Sequence, residues 1–428
     1  MSEEITRPIA LDETLQDVAA SLKVLAATAS PANAKVYGMR IKYDTESDPA
    51  SIVKYLGDAI GLTPAHMDYT NNVFDYGDMG DLWFVRDCKP CILGQNGVVQ
   101  AYLNPNDYTK DIYGNTVTID ETLTDANVMI EFPKIWMKIV PFGDDNSMAD
   151  VYFSQVKVDD GYKDYPYIDY QGVHKEHFYM PAYNGSLIND GTNDVLRSVS
   201  GQTVMNSKTG ANEIAYAKAN GDGWYTELFG QIQLINMLLL FMGKSTDTQT
   251  VFGRGIDTGS QTAFNAYVTG AGNTKGLFWG SNDGTQLSKV FGIENWWGLQ
   301  WRRYGGHIIV NGSHRVKLCY SKEDGSTTDN FNTDASGYIT LGAAAPSGTS
   351  GGYISKMYFS PLCMMPTVAS GSSSTHFADG LWFNNSATTY ACRGGNASFG
   401  LLCGPLCLRC NYTVGDATWA VGAALSYV

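Results

Sequence analysis

Residues 292–303 read Gly292-Ile293-Glu294-Asn295-Trp296-Trp297-Gly298-Leu299-Gln300-Trp301-Arg302-Arg303, which places three tryptophans ahead of the chain's only adjacent arginines. Trp296, Trp297 and Trp301, together with Trp382, read as core, because a loop-rich domain must still bury its aromatics. Further on, Arg393-Gly394-Gly395 opens a second unusual stretch, RGGNASFGLLCGPLCLRCNYTVGDATW, over residues 393–419. Cysteines, leucines and a phenylalanine crowd that Gly-punctuated run without a strand or helix period. The ending, Trp419-Ala420-Val421-Gly422-Ala423-Ala424-Leu425, is again small and Gly-containing.

The rest of the chain bounds what these segments can do. Its 428 residues fit two or three domains. Charged residues make up 17% and aromatics 12%, with 46 glycines, the profile of a folded, loop-rich protein rather than a disordered one. The formal net charge is −14 and no basic run exists, so nucleic acid is not an expected partner. Met1 is followed by Ser-Glu-Glu, not by a basic segment and an apolar core, so no secretory signal is expected. The most apolar run, Leu228 to Met242, is short for a bilayer and is interrupted by Gln231, Gln233 and Asn236, so it reads as a buried helix. Eight cysteines in a chain this long do not make a disulfide scaffold, and free thiols packed as small apolar groups are the plain expectation.

Three regions are expected. Residues 1–30 hold a helix in which Leu11, Leu15, Val18, Leu22 and Leu25 repeat at heptad spacing; it serves either as a short oligomerisation stalk or as an amphipathic helix docked on its own domain. Residues 31–120 form a small α+β domain. It has a helix from Asp48 to Ile60, capped by Asp48 ahead of Pro49, and strands at Leu82–Val85, Val98–Leu103 and Thr116–Ile119. Residues 121–428 form the larger domain. Strands are expected there at Val128–Phe132, Ile135–Val140, Val151–Phe153 and within 305–325 and 352–362, with two helices, Gly210–Asn220 and Tyr225–Met242. The fold class is α+β, and no internal repeat is present.

The order of the Trp-Trp-Gly-x-x-Trp segment, Arg393-Gly394-Gly395 and the Gly-containing ending resembles the C-type lectin fold. It does so in the form found in formylglycine-generating enzymes and in the variable proteins of diversity-generating retroelements, which include phage tail receptor-binding proteins. The resemblance covers about residues 120–428. Val36–Ile41, Leu82–Val85 and Tyr102–Tyr108 also look like tail proteins of phages from gut bacteria.

The resemblance implies an origin for the odd stretch. In the variable proteins, adenine-directed mutagenesis of AAY codons cannot produce Lys, Glu, Gln, Met or Trp, and residues 386–418 contain none of them. On this reading the stretch is a variable, ligand-binding surface. Its contact residues are Tyr390, Asn396, Ala397, Ser398, Phe399, Leu401, Leu402, Arg409, Asn411, Tyr412, Asp416 and Thr418. Trp296, Trp297, Trp301, Arg393, Gly394, Gly395 and Trp419 are scaffold, and Gly400, Gly404 and Gly415 join Gly394 and Gly395 as fixed backbone. Leu406 and Leu408 are read as core. The surface works as a paratope does, with stiff aromatics for contact area and small polar groups adapting around them. The implied partner is a bacterial cell-surface protein or glycan, and the implied location is a virion tail, alongside other tail proteins. A homo-oligomer, a trimer by analogy, would supply avidity.

Competing chemistry finds less support in the residues. A cysteine oxidase would use a reactive thiol among Cys403, Cys407 and Cys410, with Arg409 as the activating cation. However, Asn396-Ala397 stand where that family has an aromatic, and Gly422-Ala423-Ala424 replace its Gly-Phe-Arg ending. Cys88-Lys89-Pro90-Cys91 has zinc spacing without a second pair, and His174-Lys175-Glu176-His177 lacks a third ligand. No Glu-Pro-Asn or Gln-Pro-Asp calcium loop and no phosphate-binding Gly-Lys-Ser/Thr loop occurs. No catalysis, cofactor, metal or membrane insertion is therefore expected. A purely structural tail component is the remaining alternative.

Overall fold

The computed structural model describes residues 33–344 and 349–428. Over these residues the chain is β-dominated, with few helices and long connections. The expected heptad helix lies outside the described residues.

Three large sheets organise the chain. The first is antiparallel in the order Val53–Gly57, Tyr37–Ile41, Met148–Ser154, Trp136–Phe142. The second runs Trp224–Thr226, Leu425–Tyr427, His177–Pro181, Ala126–Pro133, Lys89–Gly94, Val99–Asn104, Asp107–Asp111. Its central strand, ANVMIEFP, does not alternate and is buried at every position, as a strand covered on both faces must be. Lys89–Gly94 pairs with Ala126–Pro133 over six residues, so the boundary expected at residue 120 falls inside one hydrogen-bonded sheet. The chain's last strand, Leu425–Tyr427, joins the same sheet.

The third sheet positions the candidate site. Its order is Ile339–Ala344, Ser313–Val316, Trp301–Val310, Thr389–Gly394, Gly404–Cys410, Gly380–Asn384, Thr349–Tyr353, with Val421–Gly422 parallel to Trp301–Val310. Under its inner face lies the helix Phe229–Gly243, FGQIQLINMLLLFMG, apolar on every side and buried from Phe229 to Met242. Its polar residues tie it to its own N-cap and to neighbouring segments. Gln231 Oε1 accepts from Leu228 N at 3.2 Å, and Gln233 Oε1 accepts from Met364 N at 2.9 Å. Asn236 accepts from Trp296 Nε1 at 2.9 Å and donates to the Pro405 carbonyl at 2.8 Å. No helix among the described residues is long and apolar enough to cross a membrane.

Several local expectations are corrected. Asp48 does cap a helix, accepting from Ala50 N, but the helix is only Pro49–Ile52; Val53–Gly57 leaves it to pair with Tyr37–Ile41. Leu82–Val85 is not a strand. Trp83–Arg86 makes one helical turn with all three apolar residues buried, and a short apolar run does not distinguish the two states. Thr116–Ile119 contributes an isolated bridge, Lys110 to Thr116, rather than a strand. Tyr225 belongs to the strand Trp224–Thr226, which pairs with Leu425–Tyr427, so the long helix starts only at Phe229. Gly210–Lys218 is helical, capped by Thr209, and two short helices, Thr248–Phe252 and Gln261–Ala266, follow the two expected ones.

Candidate functional site

Strand pairing sorts the two unusual segments onto opposite faces of the third sheet. Across four strands, Arg302, Arg393, Leu408 and Leu381 form one row, and Arg303, Cys392, Arg409 and Trp382 form the next. Alternation sends the two rows to opposite faces.

The inner row is structural. Glu227 is fully buried and accepts from Arg302 Nη1 at 2.9 Å, from Arg393 Nη2 at 2.6 Å and from Arg393 Nε at 3.1 Å. Arg302 Nη2 also donates to the carbonyls of Glu294 and Asn295, at 2.6 and 2.7 Å. Arg393 Nη1 donates to the Trp296 carbonyl at 2.6 Å, and its guanidinium lies 3.5 Å above the Trp296 ring. One carboxylate thus ties the Trp-Trp-Gly segment to Arg393-Gly394-Gly395, which is why those residue types occur together.

The outer row carries an aromatic cluster. The Phe399 ring stands edge-on to Trp382 at 4.7 Å and to Trp301 at 5.3 Å, and Trp301 meets Trp382 at 5.5 Å. The Arg409 guanidinium lies 3.8 Å above the Tyr412 ring. Trp419, partly buried, packs on Phe264 at 5.8 Å. Trp301 is fully buried, whereas Trp382, Phe399, Arg409 and Tyr412 all reach the surface.

Two loops frame the cluster, and backbone bonds hold both. In the first, Ala397 N donates to the Leu299 carbonyl at 3.1 Å and Gly400 N to the Asp257 carbonyl at 2.8 Å. In the second, Arg303, paired with Glu213 at 2.7 Å, also donates to the Asp416 carbonyl at 2.7 Å. Gly210 N donates to the Val414 carbonyl at 2.8 Å, and Ser207 N to that of Thr418 at 3.0 Å. Asp416 Oδ2 closes the turn by accepting from Thr413 N at 2.6 Å. Loops fixed in this way lose little entropy on binding.

The expected contact residues divide. Ser398 and Leu401 are exposed, Leu401 at 41%, and Phe399, Leu402, Arg409, Asn411, Tyr412, Asp416 and Thr418 are partly so. Tyr390, Asn396 and Ala397 are not surface residues, being 2%, 2% and 0% exposed. Tyr390 sits on an interior strand against Ile308 and Tyr338. Asn396 turns its carboxamide oxygen onto Ser398 N and Oγ, and Ala397 is tied to Leu299. Leu406 and Leu408 are core. Trp382, read from the sequence as core, is partly exposed beside Arg409; the alternation of buried Leu381 and Phe383 around it is the signal that marks it as outward.

Among the glycines, Gly395 has φ +82°, and a side chain there would run into Cys403. Gly400 has φ +56° with nothing near, and Gly415 lacks a positive φ and so does not need to be glycine. Gly395→Ala is expected to cost about 2–5 kcal/mol, left-handed strain plus overpacking. Gly400→Ala should cost only the strain, about 1–2 kcal/mol. Urea denaturation of the two variants checks the difference, and equal losses would contradict the packing argument.

Cys403, Cys407 and Cys410 are buried and free, and burial pushes each thiol well above its ordinary range. Arg409 lies on the outer face, while Cys410 packs into the main core on the other side, so the cation does not activate it. Cys88 and Cys91 are also buried. His174 is engaged by Asp164 at 2.8 Å and by Glu323 at 3.0 Å. Among the described residues no group of three or more His, Cys, Asp or Glu could hold a metal ion.

No protein-family model and no curated protein matches the chain. Among solved structures it is similar to one named Major Tropism Determinant U1 Variant, at 11% identity and a TM-score of 0.29, over 79% of this chain and 71% of that one.

Proposed function

We propose that the chain is a phage or prophage tail protein that binds a bacterial surface ligand through the outer face of the third sheet. In this reading the C-terminal part is a C-type lectin-like domain whose loops within 386–418 have been diversified by a retroelement. The N-terminal region attaches to the tail, and residues 1–30 assemble sister subunits, as a trimer, so that many weak contacts add up.

One observation carries the reading. Phe399, Arg409 and Tyr412 of the Lys-, Glu-, Gln-, Met- and Trp-free stretch gather with Trp382 at the outer face, beside a loop anchored through the backbone of Ala397 and Gly400. Exposed aromatics beside an arginine on a rigid frame have the composition of a binding hot spot. Cysteine oxidation has no comparable support, because the thiols are buried.

Flow cytometry of the labelled protein on a panel of bacterial strains tests the reading. Tyr412→Ala and Phe399→Ala are each expected to lower binding to a recognised strain by at least about 10-fold, the effect of losing an interface anchor. Thermal melts should confirm that the variants are folded. Folded variants that bind as well as the parent would remove this face as the binding site.

A further inference from the structure

Arg409, like Arg315 of Ser313–Val316, whose partner is the Thr340 hydroxyl, and unlike the other arginines around the third sheet, has no carboxylate partner among the described residues. Arg302 and Arg393 share Glu227, Arg303 pairs with Glu213, and Arg254 pairs with Asp257. Arg409 makes no ion pair among the described residues. Its one side-chain hydrogen bond there runs from Nε to Asn411 Oδ1 at 2.7 Å. The guanidinium lies over the Tyr412 ring at 3.8 Å, with Trp301 and Phe399 at 5.4 and 5.8 Å. Nε is therefore used, the side chain is ordered against the ring, and the terminal Nη1–Nη2 edge has no acceptor among the described residues.

A fixed guanidinium edge presents two parallel donors, the geometry that takes a carboxylate in bidentate fashion. Because stacking has already ordered the side chain, little conformational entropy is lost when the pair forms. We infer that Arg409 is the recognition point for a carboxylate-bearing sugar of the surface ligand, an inference that rests on the binding role proposed for this face. A sugar fits better than an acidic protein segment for two reasons. Around Arg409 stand the rings of Tyr412, Trp301 and Phe399 and the carboxamide of Asn411, neutral groups that match a polyol. The chain's net charge of −14 repels an acidic protein surface but tolerates one isolated carboxylate met by one cation.

An array of immobilised uronic-acid and sialic-acid glycans tests the inference, with the same glycans as methyl esters, sulfated glycans and a Glu-rich peptide alongside. The parent protein should bind carboxylate glycans. Esterification and Arg409→Gln should each weaken binding about 10- to 100-fold, the loss of a charge-assisted pair, and Arg409→Lys should restore it only in part. Equal binding of the ester or of Arg409→Gln, binding of only the peptide or the sulfated glycans, or no binding to any acidic glycan overturns the inference. If folded Arg409→Gln keeps cell binding while Tyr412→Ala loses it, the carboxylate falls and the binding face stands. If both variants bind cells fully, both fall.

Discussion

Replacing Glu227 with Gln is expected to lower the unfolding free energy by about 3–5 kcal/mol, the cost of leaving a buried charge without its partner. Glu227 is fully buried and receives two guanidinium groups, from Arg302 and Arg393, at 2.6–2.9 Å. A carboxamide removes the only anion between two buried cations and turns an N–H toward them. The carbonyls of Glu294, Asn295 and Trp296, which also receive these arginines, cannot supply the missing charge. The two arginines are register partners on adjacent strands, so the loss is felt where the Trp-Trp-Gly segment meets Arg393-Gly394-Gly395. Urea denaturation followed by tryptophan fluorescence measures the effect, and a loss below about 1 kcal/mol, the size of an ordinary hydrogen bond, would show that the network does not hold the sheet together.

The second large effect is a dependence on pH. His307 and His314 are fully buried on neighbouring strands, with His307 Nε2 and His314 Nδ1 2.9 Å apart and the Tyr304 hydroxyl 2.9 Å from His307 Nδ1. One ring nitrogen of the His–His pair must accept, so both imidazoles cannot be protonated with this bond intact. Burial lowers His314 from 6.5 to about 4 and His307 well below its ordinary value, His314 adding to the latter shift. The unfolded chain therefore takes up protons below pH 6.5 that the folded chain refuses. The stabilisation is complete above pH 6.5 and is lost as the pH falls toward about 4, amounting for His314 alone to about 3 kcal/mol. Asp379, a carboxyl raised by burial, acts in the opposite sense and favours the folded state on acidification. The comparison is thus between the parent and His314→Gln, by urea unfolding at pH 7.5 and pH 4.5. The parent should lose more stability between the two than the variant, by up to that amount; parallel losses would mean that the pair does not stay neutral.

Much of the frame could be read from residue chemistry. Phe229–Gly243 was legible because an all-round apolar run with polar interruptions has to be buried and stapled, and Ala126–Pro133 because its apolar run fits a strand covered on both faces. Trp296, Trp297, Trp301 and Arg393 stood out because the order of their segments resembles that of a known fold. The failures have a common cause. Val53–Gly57 and Trp83–Arg86 are short segments whose state is set by distant neighbours rather than by local period. Within 386–418, composition marked the stretch but could not say which side chains point outward. Tyr390, Asn396 and Ala397 lie on, or just beyond, a strand flanked by two others, while Arg409 and Trp382 face out one residue away from buried Leu408 and Leu381. That distinction depends on register, which only the pairing of distant strands supplies.

The most direct test is deep sequencing of this coding region across a bacterial population that carries it. Substitutions should gather at Ser398, Phe399, Leu401, Leu402, Arg409, Asn411, Tyr412, Asp416 and Thr418 and spare Tyr390, Arg393, Asn396 and Ala397. An even spread across buried and exposed positions, or no concentration of change within 386–418, would contradict a diversified binding face.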